Sequence, residues 1–211
     1  MGFTQDFLKR MKKAITPKKT LSWVEKNAIL KEYPDYTVKS LSKITKIQVG
    51  TDECVSCFTS NSFSGLLRTG THDLSDNIDK VVFINASVQK EKFGIRAPNY
   101  PITADKKSFG FSGTMSFKIL EENAAIANFL SRIVQSKPDY TSKDVVRWLR
   151  DGPVFTAFKE ILGAQTYDEF YKTPKIDLII ELESRIGYEL MDYGIELVSL
   201  EIMNYTDPVQ F

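Results

Sequence analysis

Cys54 and Cys57, in the stretch ECVSCF, are the residues whose type and spacing most directly suggest chemistry. A C-x-x-C pair acts as a redox couple when its first thiol sits at a helix N-terminus, and as half a zinc site when two more soft ligands complete it. ECVSCF reads as a strand, and residues three apart on a strand face opposite sides. That separates the two side chains too far for a disulfide. With no further cysteine and a single histidine, His72, a zinc site lacks ligands. Both cysteines are expected to be structural, neither bridged nor metal-bound.

The other reactive types lead no further. A Ser-His-Asp or Cys-His arrangement would have to use His72, which sits in TGTHDLS on an expected turn, and no G-x-S-x-G motif occurs. Glu121 and Glu122 open a helix, where carboxylates complement the dipole. Glu181 and Glu183 fall on a helix flank without a metal-binding companion. Walker A and dinucleotide-binding glycine motifs are absent from the sequence. The expectation is a non-enzyme with no catalytic residue, cofactor or metal.

Bulk properties narrow the class. The 211 residues are 42% hydrophobic and 26% charged, an ordinary globular composition. Lys and Arg number 28 against 27 acids, for a net charge of +1, so no general basic excess points to nucleic acid. The one local excess is Lys9, Arg10, Lys12, Lys13, Lys18 and Lys19. No apolar run approaches the ~18 residues of a membrane span, and no signal-peptide core opens the sequence. Asp6 stands where a myristoylation pattern needs Ser or Thr. A cytosolic protein is expected.

The elements that must position any site follow from periodicity. In residues 3–15, Phe3, Phe7, Leu8, Met11, Ala14 and Ile15 share a helical arc of roughly 140°, opposite Lys9, Arg10, Lys12 and Lys13. Thr16-Pro17 ends that helix. Two roles fit it: an in-plane membrane helix with its lysines toward anionic head groups, or a helix docked on the domain or on a neighbouring subunit. From about 21 to 119 the signals are β: AILKEY, TKIQV, ECVSCF, KVVFINASV and GTMSFKI, with SGLLRTGTHDL as a tight hairpin or barrel turn. From about 121 to 193 they are helical: ENAAIANFLSRIV, then VVRWL behind a Thr141/Asp144 capping box, then VFTAFKEIL behind the breaker Asp151-Gly152-Pro153, then 175–193. Ile176, Ile179, Leu182, Ile186, Leu190 and Tyr193 recur at helical spacing before Gly194, and alternation begins after it. The expected fold is therefore α+β: a curved, mainly antiparallel sheet from roughly 25–119, helices over 121–193, and a last strand, 195–205, returning to the sheet. Residues 1–20 form a basic amphipathic segment and 21–211 one domain.

KVVFINASVQKEKFGIRAPNYPITADKKSFGFSGTMSFKILEENAAIANFL resembles the core of the SPFH (band 7) superfamily of stomatins, prohibitins and flotillins, and its soluble bacterial and archaeal members most of all. In those, a strand like VVFIN leads to a Phe-Gly turn, matched by Phe93-Gly94, and to a proline-containing segment, matched by 98–102. A G-T-x-S-F-x-I strand follows, here Gly113 to Ile119, and the tail Tyr193-Gly194-Ile195-Glu196-Leu197 matches as well. SFSGLLRTGTHDLS is similar to the family's G-x-G-x-Y-x-L hairpin, with His72 where an aromatic is common. The resemblance runs in order over about 21–211. Stomatin-like members begin with a membrane-inserted apolar segment, which this sequence does not show, and members usually continue into a coiled coil, whereas this sequence stops at Phe211.

The resemblance implies a non-catalytic, membrane-associated scaffold, a homo-oligomer that packs side by side and organises lipids or partner membrane proteins. It implies a cytoplasmic location, peripheral at the inner face of the cell membrane, with an anionic membrane surface or a membrane protein as partner. Phe3, Phe7, Leu8, Met11, Lys9, Arg10, Lys12 and Lys13 are the membrane-binding candidates. The alternative is a soluble regulatory module that binds a partner protein without touching the membrane.

Overall fold

The computed structural model describes residues 19–23, 28–35, 38–96, 100–134, 139–206 and 209–210. Strands come first in the chain: β1 (Lys19–Ser22), β2 (Ala28–Tyr33), β3 (Ile44–Val49), β4 (Glu53–Thr59), β5 (Ser62–Leu67), β6 (Gly70–Asp73), β7 (Lys80–Asn85), β8 (Gln89–Ile95), β9 (Lys107–Ser108) and β10 (Phe111–Ile119). Helices dominate thereafter: α1 (Asn123–Arg132), a short β11 (Asp139–Thr141), α2 (Ser142–Leu149), α3 (Phe155–Gly163), α4 (Tyr167–Lys172) and α5 (Lys175–Met191). The chain then returns as β12 (Ile195–Tyr205), followed by β13 (Val209–Gln210). The fold is thus α+β, with β12 joining a sheet after the helices, as the order of periodicities predicts.

The strands do not form one sheet. A five-stranded sheet ordered β11-β2-β7-β4-β5 lies between two apolar clusters. Its central strands are buried along nearly their whole length, because each face is covered. Val81 and Phe83 enter the smaller cluster, which packs against the three-stranded sheet β1-β3-β6. Val82 and Ile84 enter the larger cluster, toward the helices and the second three-stranded sheet, β12-β10-β8. Alternation along β7 therefore serves two cores at once. β1 pairs with β3 in parallel, an exception in a mainly antiparallel fold.

SGLLRTGTHDL is not a hairpin. β5 ends in the five-stranded sheet, and the chain crosses through Gly70, at φ +135°, to β6 in the β1-β3-β6 sheet. His72 accordingly lies on a strand opposite Ile47, not on a turn. Phe93-Gly94 is likewise mid-strand in β8, where Phe93 pairs with Gly113 and Gly94 with Ser112.

The helices are held by local chemistry and by their apolar faces. Thr141 and Asp144 form the expected capping box at α2. A second box, Thr166 with Glu169, starts α4. Asp151-Gly152-Pro153 does not break the run as expected. Arg150–Val154 forms a π-helical turn, and the Phe155 N–H donates to the Arg150 carbonyl, so the chain stays helical from α2 into α3. Proline has no N–H to donate, and the widened turn keeps the helix continuous past it.

In α5 the buried residues are Leu178, Leu182, Ile186 and Leu190. Ile176, which shares the helical spacing of Leu182, Ile186 and Leu190 in the sequence, is 60% exposed. Gly194, at φ +75°, ends this helix in the left-handed conformation that favours glycine. A Cβ there would also overlap the Ala125 carbonyl oxygen of α1. The strand that follows pairs antiparallel with β10 from Ile119↔Ile195 to Phe111↔Tyr205.

Candidate functional site

Cys54 and Cys57 are both free thiols and both buried. They point to opposite faces of β4, Cys54 into the larger cluster and Cys57 into the smaller, as strand geometry predicts. Burial, reinforced by the charge of Glu121, pushes the Cys54 thiol up to about 12, and burial raises Cys57 to about 11. Both are neutral at ordinary pH and poor nucleophiles. The Nε2 of His72 lies 2.6 Å from the Arg68 carbonyl and donates to it, which ties β6 to the preceding crossing.

The carboxylate pairs have structural partners as well. Glu183 accepts the Leu200 N–H at 2.8 Å, so α5 caps a main-chain amide of β12. Glu181 pairs with Arg185, which also reaches Glu160. Glu122 stands at the N-cap of α1, but its side chain makes no capping bond. Among the described residues no group of three or more His, Cys, Asp or Glu is placed to hold a metal. A cleft of about 680 Å³ between α1 and the five-stranded sheet is lined by Leu30, Phe58, Phe63, Val82 and Leu130. Its charged residues, Lys80 and Glu32, pair with each other at 3.6 Å.

The membrane-binding candidates Phe3, Phe7, Leu8, Lys9, Arg10, Met11, Lys12 and Lys13 lie outside the described residues. Among the described residues no helix is long and apolar enough to cross a membrane.

Two surfaces that sequence reasoning missed stand out instead. The first is a groove of about 1240 Å³ between β8 and the α2–α3 run. β8 contributes Lys90, Lys92 and Arg96 near its end; the helical run contributes Lys143, Arg147 and Arg150. Its two acids are engaged: Glu91 accepts from Ser142 Oγ, and Asp151 holds Arg150 through two hydrogen bonds. Among the described residues Lys92, Arg96 and Lys143 have no acidic partner. The signal was in the sequence, because Lys90 and Lys92 alternate on one strand face, and 143, 147 and 150 share one helix face. Glutamates and aspartates interleaved in the same stretches concealed it.

The second surface is the outer face of α5. Ile176, Ile180, Tyr188 and Met191 are 60%, 58%, 83% and 60% exposed. At 100° per residue they fall within a third of the helix circumference, opposite the buried Leu178, Leu182, Ile186 and Leu190. The helix thus exposes large apolar side chains, interspersed with Asp177 and Ser184, opposite the face that enters the core.

No family model matches this chain, and a search of curated proteins finds no match.

Proposed function

We propose that this protein is a non-catalytic, membrane-associated scaffold of the SPFH type, assembling side by side and organising membrane lipids or partner membrane proteins. The observation that carries the reading is the return through Gly194. The strand bearing G-T-x-S-F-x-I, β10, is central in its sheet and receives β12 antiparallel along its whole length. Both halves of the sequence resemblance thus meet in one sheet. The engaged carboxylates and the two neutral, buried thiols also favour a non-catalytic role.

Membrane contact is assigned to residues 1–16, with Phe3, Phe7, Leu8 and Met11 inserted and Lys9, Arg10, Lys12 and Lys13 at anionic head groups, at the inner face of the cell membrane. Each lysine near such a surface contributes about 1 kcal/mol, and each buried apolar side chain about 1.5–3 kcal/mol before the helix is ordered. Binding is then modest, reversible and weakened by salt. The second reading, a soluble module that binds a partner protein, is favoured by the exposed apolar face of α5.

Vesicle flotation separates the two. The chain is expected to float with vesicles containing phosphatidylserine, and to lose this without residues 1–16. Phe7→Asp is expected to abolish flotation at every salt concentration, and Lys12→Gln with Lys13→Gln mainly at low salt. A chain that never floats sinks the membrane assignment and leaves the interaction module, whereas one that floats equally well without residues 1–16 overturns the assignment of membrane contact to that segment.

A further inference from the structure

The basic groove and the outer face of α5 are separate surfaces built around one sheet, and no residue of α5 lines the groove. The strand order β12-β10-β8 puts β12 and β8 at its two edges. α5 packs along β12 and α2 along β8. One surface offers cations without acidic partners among the described residues, and the other a helix with large apolar side chains exposed opposite its buried ones.

Their chemistries match. α5 with its last residue, 175–192, carries five acids (Asp177, Glu181, Glu183, Glu189 and Asp192) against two bases (Lys175 and Arg185). Asp177 and Asp192 are exposed and have no cationic partner among the described residues. The groove answers with Lys92, Arg96 and Lys143, and its walls include Phe155 and Met203, the latter 53% exposed. Four large apolar side chains exposed within one arc of a helix are a feature of the kind that marks an interaction site. A helix of 17 residues is about 25 Å long. That length suits a contact on the scale of a standard interface, roughly 800 Å² per partner.

We infer that α5 of one copy seats in the β8–α2 groove of the next, joining copies head to tail. The inference rests on the self-assembly part of the scaffold reading and gives it a surface. The contact is heterologous: each copy presents a different face to each neighbour, so the arrangement closes into a ring or extends as a row. The apolar face of α5 supplies the burial, while Asp177 and Asp192 against Lys92, Arg96 and Lys143 fix orientation and speed encounter.

The test uses the full chain in lipid-free buffer, followed by sedimentation velocity and light scattering. The mass is expected to rise above the 24.0 kDa of the monomer with concentration, and less steeply at high salt. A groove variant, Lys92→Glu with Lys143→Glu, and a stripe variant, Ile180→Asp with Tyr188→Asp, alter only exposed side chains. Both are expected to keep the wild-type circular dichroism spectrum and melting temperature, and each alone to stay monomeric. Mixed in equal amounts they retain one intact groove and one intact stripe between them, and are expected to form a dimer that grows no further. A wild-type chain that is monomeric throughout overturns the proposal, as does a mixture that fails to pair or a single variant that assembles like wild type. A groove variant that self-assembles normally but loses binding to phosphatidylserine vesicles assigns the groove to the membrane and overturns it too. Failure of the residue 1–16 flotation test, with this assembly intact, removes the membrane assignment alone.

Discussion

The two apolar clusters on either side of the five-stranded sheet are assembled from very different spans of chain. The smaller draws its buried members from Leu21 to Phe83, neighbours along the strand-rich first part of the sequence. The larger runs from Ile29 to Ile202 and needs α1, α2, α3, α5 and β12 to be in place. One core is built from adjacent strands and their turns. The other depends on a strand that arrives only after every helix, with the loop-closure entropy which that order entails. The difference teaches where this fold is most sensitive. A defect in β12 should be felt in the larger core before the smaller one.

Gly194→Ala tests this most severely. It forces a side chain into a left-handed backbone and against the Ala125 carbonyl. A loss of several kcal/mol is expected, combining backbone strain with overpacking. Hydrogen exchange should show amides of β10, β12 and α5 losing protection ahead of those in β1 and β3. Equal loss in all of them would make the two cores one cooperative unit and break the comparison.

Truncations set the scale of each core. Phe158 is fully buried and stacked on Phe111 in the larger cluster, so Phe158→Ala should reduce stability by about 3–5 kcal/mol in chemical denaturation. Ile47→Val in the smaller cluster, also fully buried, should cost only about 0.5–1.5 kcal/mol.

Alkaline titration loads both cores together, because Cys54 faces one and Cys57 the other. Their folded pKa values, about 12 and about 11, lie above the ordinary thiol value of 9.0. Above pH 9 the unfolded chain therefore holds fewer protons than the folded one, and stability falls as pH rises toward 11 and 12. Denaturant midpoints that stay flat for wild type from pH 8 to 10.5, yet match a Cys54→Ala, Cys57→Ala variant throughout, would deny the thiols this role. At pH 8 neither native thiol should react with a thiol reagent until the chain unfolds.

The smallest effect is expected in the π turn. Gly152 has helical backbone around it, and beyond the adjacent residues and the helix's own backbone nothing lies within 4 Å of the place an alanine methyl would take, but the ring of Pro153 disfavours a helical residue with a Cβ directly before it. Gly152→Ala should therefore change stability by less than about 1 kcal/mol, the entropy lost from the unfolded chain being offset by the ring contact. Thermal melting of the variant reads it directly, and a protein destabilised by more than that would show that the turn needs glycine.

Much of the secondary structure was legible because each element carries its own period. AILKEY became β2, KVVFIN became β7, and GTMSFKI became most of β10. The Thr141/Asp144 box was readable because a cap is a contact between residues three apart. Gly194 was readable because a helical period meets an alternating one there. The opposite orientations of Cys54 and Cys57 followed from strand geometry alone.

What the sequence by itself determined, then, is the nature of each local element: its period, its caps, the glycine corner and the facing of neighbouring side chains. These depend on residues within a few positions of one another. Only the tertiary structure decided which strands share a sheet, that SGLLRTGTHDL crosses between two sheets, and that Asp151-Gly152-Pro153 widens a helix without breaking it. It alone showed that Ile176 faces outward and that cations from β8 and from the α2–α3 run line one groove. Those outcomes depend on contacts between residues tens of positions apart, and burial on both sides of a strand or helix erases the pattern that would announce them.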